Sequence, residues 1–143
     1  MENKKLFFAI KLLAITGIVL AGYLLVEQFM PATAFRPCTI NSTVNCDAVI
    51  SGPIAKIFGI PTPLYGLLGY IGILLGAIFF KRKLILGLAI FGALFCLWIF
   101  YREIFQLRVI CPVCILCQIV MLSILGLAVA ANVKNKIPPP SAA

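Results

Sequence analysis

Apolar residues in this chain come in four long blocks rather than in alternation, and charged residues mark the gaps. No Asp, Glu, Lys or Arg falls between Lys11 and Glu27, Lys56 and Lys81, Lys83 and Arg102, or Arg108 and Lys134. A helix that crosses a bilayer needs about 20 predominantly apolar residues. The blocks therefore predict spanning helices over residues 6–29, 61–80, 84–101 and 109–133. Between the first two, residues 30–60 turn polar and rich in Pro, Thr, Asn, Ser and Gly, which predicts an outer loop capping the mouth of a bundle. Within it Asn41, Ser42 and Asn45 favour turns, residues 50–58 are expected to form a short helix lying on the membrane, and Gly59-Ile60-Pro61-Thr62-Pro63 leads into the second span. The basic turn Lys81-Arg82-Lys83 is short enough to make its flanking helices antiparallel. The predicted fold class is an all-α membrane protein: a four-transmembrane-helix bundle in one domain over residues 1–143, with a disordered proline-rich tail from about residue 135.

Composition supports this reading. With 63% hydrophobic residues and a mean hydropathy of +1.14, the chain has too little polar surface to cover a water-soluble globule. A cleaved signal peptide is the competing account of the first block. However, the run exceeds the ~7–15 residues of a signal core and no small-x-small cleavage site closes it, so it is read as a span, with Lys11 and Glu27 reaching the headgroups. Charge then sets orientation. With the N-terminus inside, Lys4, Lys5, Lys11, Lys81, Arg82, Lys83, Lys134 and Lys136 lie inside, and Arg36, Lys56, Arg102 and Arg108 outside, in accord with the positive-inside rule. The expected location is the cell membrane, with both termini cytoplasmic. The net charge of +8 is thereby accounted for by orientation and contact with anionic membrane lipid, leaving no support for nucleic-acid binding.

That orientation puts four of the six cysteines on the extracytoplasmic side, where disulfides form and persist. Cys111-Pro112-Val113-Cys114 opens the fourth span. Cysteines three apart share one helix face, Pro112 is tolerated in a first turn, and the helix N-terminus favours a thiolate. Cys38 and Cys46 lie in the outer loop, at a separation that allows a small disulfide loop. Taken alone, that pair reads equally as a structural staple. With a second dithiol on the same side, electrons can pass between the pairs through mixed disulfides. Cys96 and Cys117 read as apolar packing residues.

Other redox chemistries lack their residues. The chain has no His and few carboxylates, which leaves no expected metal site; Ile115 stands where haem attachment would need His; and no GxGxxG is present. An acceptor dissolved in the membrane, a quinone, is then the expected partner of the dithiol, with Phe58, Leu64, Tyr65, Phe95 and Ile115 as candidate contacts.

Together, Cys38-x7-Cys46 followed by Asp47, Val49 and Ser51, then Phe58-Gly59-Ile60-Pro61, Tyr65-Gly66, Gly69-Tyr70 and Cys111-x-x-Cys114, resemble the vitamin K epoxide reductase family, particularly its prokaryotic members, over nearly the whole chain. The resemblance implies a four-helix bundle around a pocket for a quinone of the menaquinone, ubiquinone or vitamin K type. It implies catalytic Cys38, Cys46, Cys111 and Cys114: Cys114 beside the quinone, Cys111 as its disulfide partner, Cys46 exchanging with Cys111, and Cys38 receiving electrons from an extracytoplasmic thioredoxin-like protein. The net effect would be disulfide formation in exported proteins. Two departures stand out. Gly52 occupies a position that is often polar in the family, with Ser51 just before it, and the chain ends shortly after its last span, so the thioredoxin-like partner is expected to be a separate protein. Three other readings lead to different expectations. The other quinone-linked disulfide-forming membrane oxidase has its cysteine pairs in the opposite order, a vitamin K-recycling enzyme would reduce an epoxide, and an assembly or channel subunit would use its disulfides only structurally.

Overall fold

The computed structural model describes residues 2–30, 40–53 and 55–136. Its elements in chain order are α1 (Glu2–Phe29), α2 (Cys46–Ser51), β1 (Lys56–Ile57), β2 (Ile60–Pro61), α3 (Thr62–Ile78), α4 (Arg82–Arg102), a π-helical turn (Glu103–Leu107) and α5 (Pro112–Lys136). The four long helices close a ring, with α1 packed on α3 and α5, and α4 packed on the same two.

Three stretches are long and apolar enough to cross a membrane: Lys4–Phe29, Arg82–Leu107 and Pro112–Lys134. The 17-residue α3 is a shorter apolar helix than the predicted 61–80, rising about 26 Å at ~1.5 Å per residue. Its end has a local cause. Just past the helix end, Phe80 adopts a left-handed conformation at φ 55°, and the Lys81 N–H reaches back to the Gly76 carbonyl at 2.8 Å.

The outward faces are apolar as well as the inward ones: Phe8, Val19, Phe91 and Leu94 are all exposed, the pattern of helices bathed in lipid. Inside, Ala14, Ala77, Ala89, Ala93 and Ala128 are buried and let backbones approach. Tyr70, Ile73, Met121 and Ile124 fill the space between them. Gly17 is required by this packing, because a Cβ there would collide with the Tyr70 ring, whose hydroxyl donates to the Cys117 carbonyl at 2.9 Å. At the end of the bundle near α4's start, Arg82 Nη1 donates to the Ala131 carbonyl and Asn132 Nδ2 to the Arg82 carbonyl, both at 3.4 Å, joining α4 to α5.

The outer segment departs from expectation in two places. The short helix lies at Cys46–Ser51 rather than 50–58, because Asn45 Oδ1 accepts from the Ala48 N–H at 3.1 Å and so starts the helix early. Residues 56–61 instead form a hairpin, with Phe58 and Gly59 at its tip both at positive φ, as a tight turn of this hand requires. Asn41 makes the predicted turn, its Oδ1 accepting from the Thr43 and Val44 N–H groups. Pro63 sits in the first turn of α3 as expected. Glu27, read as a headgroup-seeking side chain, is instead buried at 2% exposure and accepts a hydrogen bond from Tyr23. Residues 135 and 136, placed in the predicted tail, belong to α5, which runs to Lys136; residues 137–143 lie outside the described residues.

Candidate active site

At the end of the bundle opposite Arg82, a second buried cluster of Leu24, Cys46, Val49, Val109 and Cys111 sits apart from the main core. Main-chain bonds build it. Ile110 N–H donates to the Thr43 carbonyl at 2.7 Å and Asn45 N–H to the Ile110 carbonyl at 3.1 Å, in a parallel bridge between Val44 and Ile110. Cys46 and Cys111 each follow immediately after a clamped residue. Their sulfurs lie 2.9 Å apart, and both side chains are fully buried.

Cys46 is disulfide-bonded, whereas Cys96, Cys111, Cys114 and Cys117 are free thiols. Cys38 lies outside the described residues. The arrangement thus holds a free thiol, Cys111, against a sulfur already engaged in a disulfide, the approach that thiol–disulfide exchange requires.

Helix α5 starts at Pro112, so Cys111 stands just before the span that begins there. Its thiol is pushed below the ordinary thiol value, first by a hydrogen bond from the Cys114 thiol; burial opposes this, the N–H groups of Cys114 and Val113 reinforce it, and the Glu103 carboxyl opposes it. A helix N-terminus and a neighbouring thiol donor both favour the thiolate.

Cys114 faces an apolar cavity to which all four long helices and α2 contribute. Phe95 lines it, as do Ala21, Thr62, Gly66, Tyr70 and Ile99. Of the other candidate contacts, Tyr65 packs beside Phe95 with ring centroids 5.9 Å apart and donates its hydroxyl to the Ile57 carbonyl at 3.0 Å. Leu64, Tyr65 and Ile115 are not in the cavity wall. Phe58 is at the hairpin tip and 96% exposed, because the turn that needs its positive φ also directs it away from the bundle. Cys96 and Cys117, expected as packing residues, both reach the cavity wall. Gly52, at the often polar position, ends α2 with its Cα against the Ala48 carbonyl, where a Cβ would collide.

Charge counting along the chain makes Glu103, just past the third apolar block, one of the outer charges, but the structure buries it at 1% exposure. The π-helical turn extends α4 past the predicted end at residue 101 and carries Glu103 to the dithiol. One carboxylate oxygen of Glu103 and the sulfurs of Cys111 and Cys114 all lie within 4.8 Å of one another. The sequence signal was faint: an acid isolated between two apolar blocks, eight positions before Cys111. These three side chains are also the donor set that could hold a metal among the described residues. A metal held there would occupy the thiolates that exchange with Cys46, so the two uses exclude each other.

A dithiol at a helix start, a disulfide sulfur in contact with it and an apolar cavity behind it make up the site. The profile of the Vitamin K epoxide reductase family matches residues 8–129. The chain belongs to the vitamin K epoxide reductase family. No individual curated protein matches it. Membership makes it an oxidoreductase, and with three helices among the described residues long and apolar enough to cross a membrane it is a multi-pass membrane protein.

Proposed function

We propose that this family member is a membrane thiol–disulfide oxidoreductase that oxidises a separate extracytoplasmic thioredoxin-like protein and delivers two electrons to a membrane quinone, thereby supporting disulfide formation. The observation that carries the reading is the 2.9 Å separation of the Cys46 and Cys111 sulfurs. The partner's dithiol reduces the loop disulfide, with Cys38 in the role of the sulfur it attacks. The Cys46 thiolate then attacks Cys111 of a Cys111–Cys114 disulfide, forming a Cys46–Cys111 bond and releasing the Cys114 sulfur, which takes up one of the protons given up by the partner's dithiol. Cys38 attacks Cys46, which restores the loop disulfide and frees Cys111. The thiol states found here, Cys46 oxidised with Cys111 and Cys114 free, correspond to the point after that transfer. Cys114 next adds to a quinone in the cavity, and Cys111 attacks Cys114 to give the disulfide and quinol.

In this reading α3 completes a four-span bundle, its length supplemented by the preceding hairpin, and the active cysteines face the extracytoplasmic side. The excess of Lys and Arg at the opposite end supports that orientation. The test is anaerobic mixing of the purified chain with a reduced thioredoxin-like protein and a menaquinone or ubiquinone. Quinol should form in proportion to partner disulfide, and oxidation of the partner without quinol would sink the proposal. The family's name favours one further reading, reduction of vitamin K epoxide at the same dithiol. Robust epoxide turnover in the same preparation would make that the preferred role.

A further inference from the structure

Glu103 is a carboxyl at 1% exposure in a cavity wall otherwise made almost wholly of apolar side chains and thiols. Its Oε1 has no hydrogen-bond partner. The adjacent cation does not serve it, because the Arg102 guanidinium lies over the Trp98 ring, 5.4 Å from the centroid. A carboxyl buried in apolar surroundings is costly unless its oxygens are partnered, and the side-chain hydrogen bond it makes is with the reactive Cys114 thiol, so packing alone does not account for its position. The backbone holds it there. Glu103 opens the π-helical turn, and its carbonyl accepts from the N–H groups of Arg108, a left-handed residue, and Val109. Irregular turns of this kind inside long helices recur at functional sites.

We propose that Glu103 is a catalytic residue that carries protons from the Cys114 and Cys111 thiols to the oxygens of the acceptor; this rests on the quinone reading above. Oxidising two thiols to a disulfide releases two electrons and two protons, and a quinone becoming quinol takes up both. Ionised Glu103 removes the Cys114 proton as that sulfur adds to the quinone ring, then returns it to the ring oxygen that has become an oxyanion. Ionised again, it removes the Cys111 proton. The Cys111 thiolate attacks Cys114, the sulfur–sulfur bond forms, the sulfur–carbon bond breaks with its electron pair left on the ring, and Glu103 delivers the second proton. Its reach to both sulfurs, within 4.8 Å, lets one group serve both transfers.

Among the described side chains, the other titratable groups near this cluster are Tyr70 on α3, Cys96 on α4 and Cys117 on α5, which line the same cavity, and, on the α1 side of Cys111, Tyr23 hydrogen-bonded to Glu27. The test is single-turnover quinol formation by the fully reduced chain, mixed anaerobically with short-chain ubiquinone or a menaquinone analogue across a range of pH. E103Q should slow quinol formation about 10²-fold and remove an ionisation from the pH–rate profile, while E103D, which restores a carboxyl at shorter reach, should recover part of the rate and the ionisation. A wild-type rate and profile in E103Q would overturn the relay alone, as would E103D remaining as slow as E103Q. A wild type that makes no quinol from either quinone would overturn the acceptor reading and the relay with it.

Discussion

At Cys111 and Cys114, two identical side chains differ because of where the helix begins. Cys111 precedes the first helical residue, is fully buried against Cys46, and receives hydrogen bonds from the Cys114 thiol and two N–H groups. Cys114 is one turn in and faces the cavity. A thiol with a lowered value is a thiolate at lower pH than an ordinary thiol, so alkylation of Cys111 in the reduced protein should persist below the ~8.5 of a free cysteine. Removing the Cys114 donor should move that alkylation profile to higher pH, which mass spectrometry of the Cys114→Ala variant would register. The same variant, once its loop disulfide is formed, should accumulate a Cys46–Cys111 disulfide, visible on non-reducing gels, and should lose quinone reduction. Wild-type turnover in it would refute the role assigned to Cys114.

The elements around the site act as a frame for these contacts. Helix α2 is only six residues long, too short to persist without its cap and its packing. Asn45→Ala removes the bond to Ala48 N–H and should cost about 1 kcal/mol, read as slower trapping of the Cys46–Cys111 disulfide in the Cys114→Ala background; Asn45→Asp should restore most of it. In the bundle, Gly17→Ala forces a methyl into the buried Tyr70 ring and should destabilise by about 1–3 kcal/mol, measured as a lower denaturation midpoint. Gly66 presents the opposite case. It lines the cavity, and a Cβ there meets nothing within 4 Å. Gly66→Leu should therefore fold near normally, with bulk placed in the cavity, and should raise the quinone concentration needed for half-maximal turnover by tenfold or so, about 1.4 kcal/mol.

For the molecule as a whole, four helices in a ring enclose a cavity that ends at a dithiol, and a clamped loop sets a disulfide sulfur against that dithiol. Under the proposed function, electrons entering at the loop move through sulfur contacts toward the cavity. In purified protein reconstituted into vesicles, a membrane-impermeant maleimide added outside should label reduced Cys46 and Cys111 only in the orientation that leaves Lys134 and Lys136 inside. Labelling from the lysine-rich side would reverse the topology.

Much of this was legible in the chain itself. Long runs without charge predict helices in lipid because each unpaired backbone group is costly there, and three of the four blocks form helices long enough to cross a membrane. Cys111-x-x-Cys114 sits at a helix start as its spacing and Pro112 indicated, and the family was recognisable from its motifs. Local rules also placed the Asn41 turn and the proline-led start of α3. They failed for Glu27 and Glu103, because charge counting assigns every acid near a helix end to solvent, whereas burial depends on which face the neighbouring helices cover. Sequence spacing likewise says nothing about the 65 residues separating Cys46 from Cys111. Their contact comes from hydrogen bonds between Thr43, Asn45 and Ile110, and the cavity behind them exists only once four helices have packed. The sequence by itself determined the medium, the helices and the reactive groups, and its resemblance implied the Cys46–Cys111 exchange; the tertiary structure alone decided how those sulfurs come into contact, and that a carboxyl joins them.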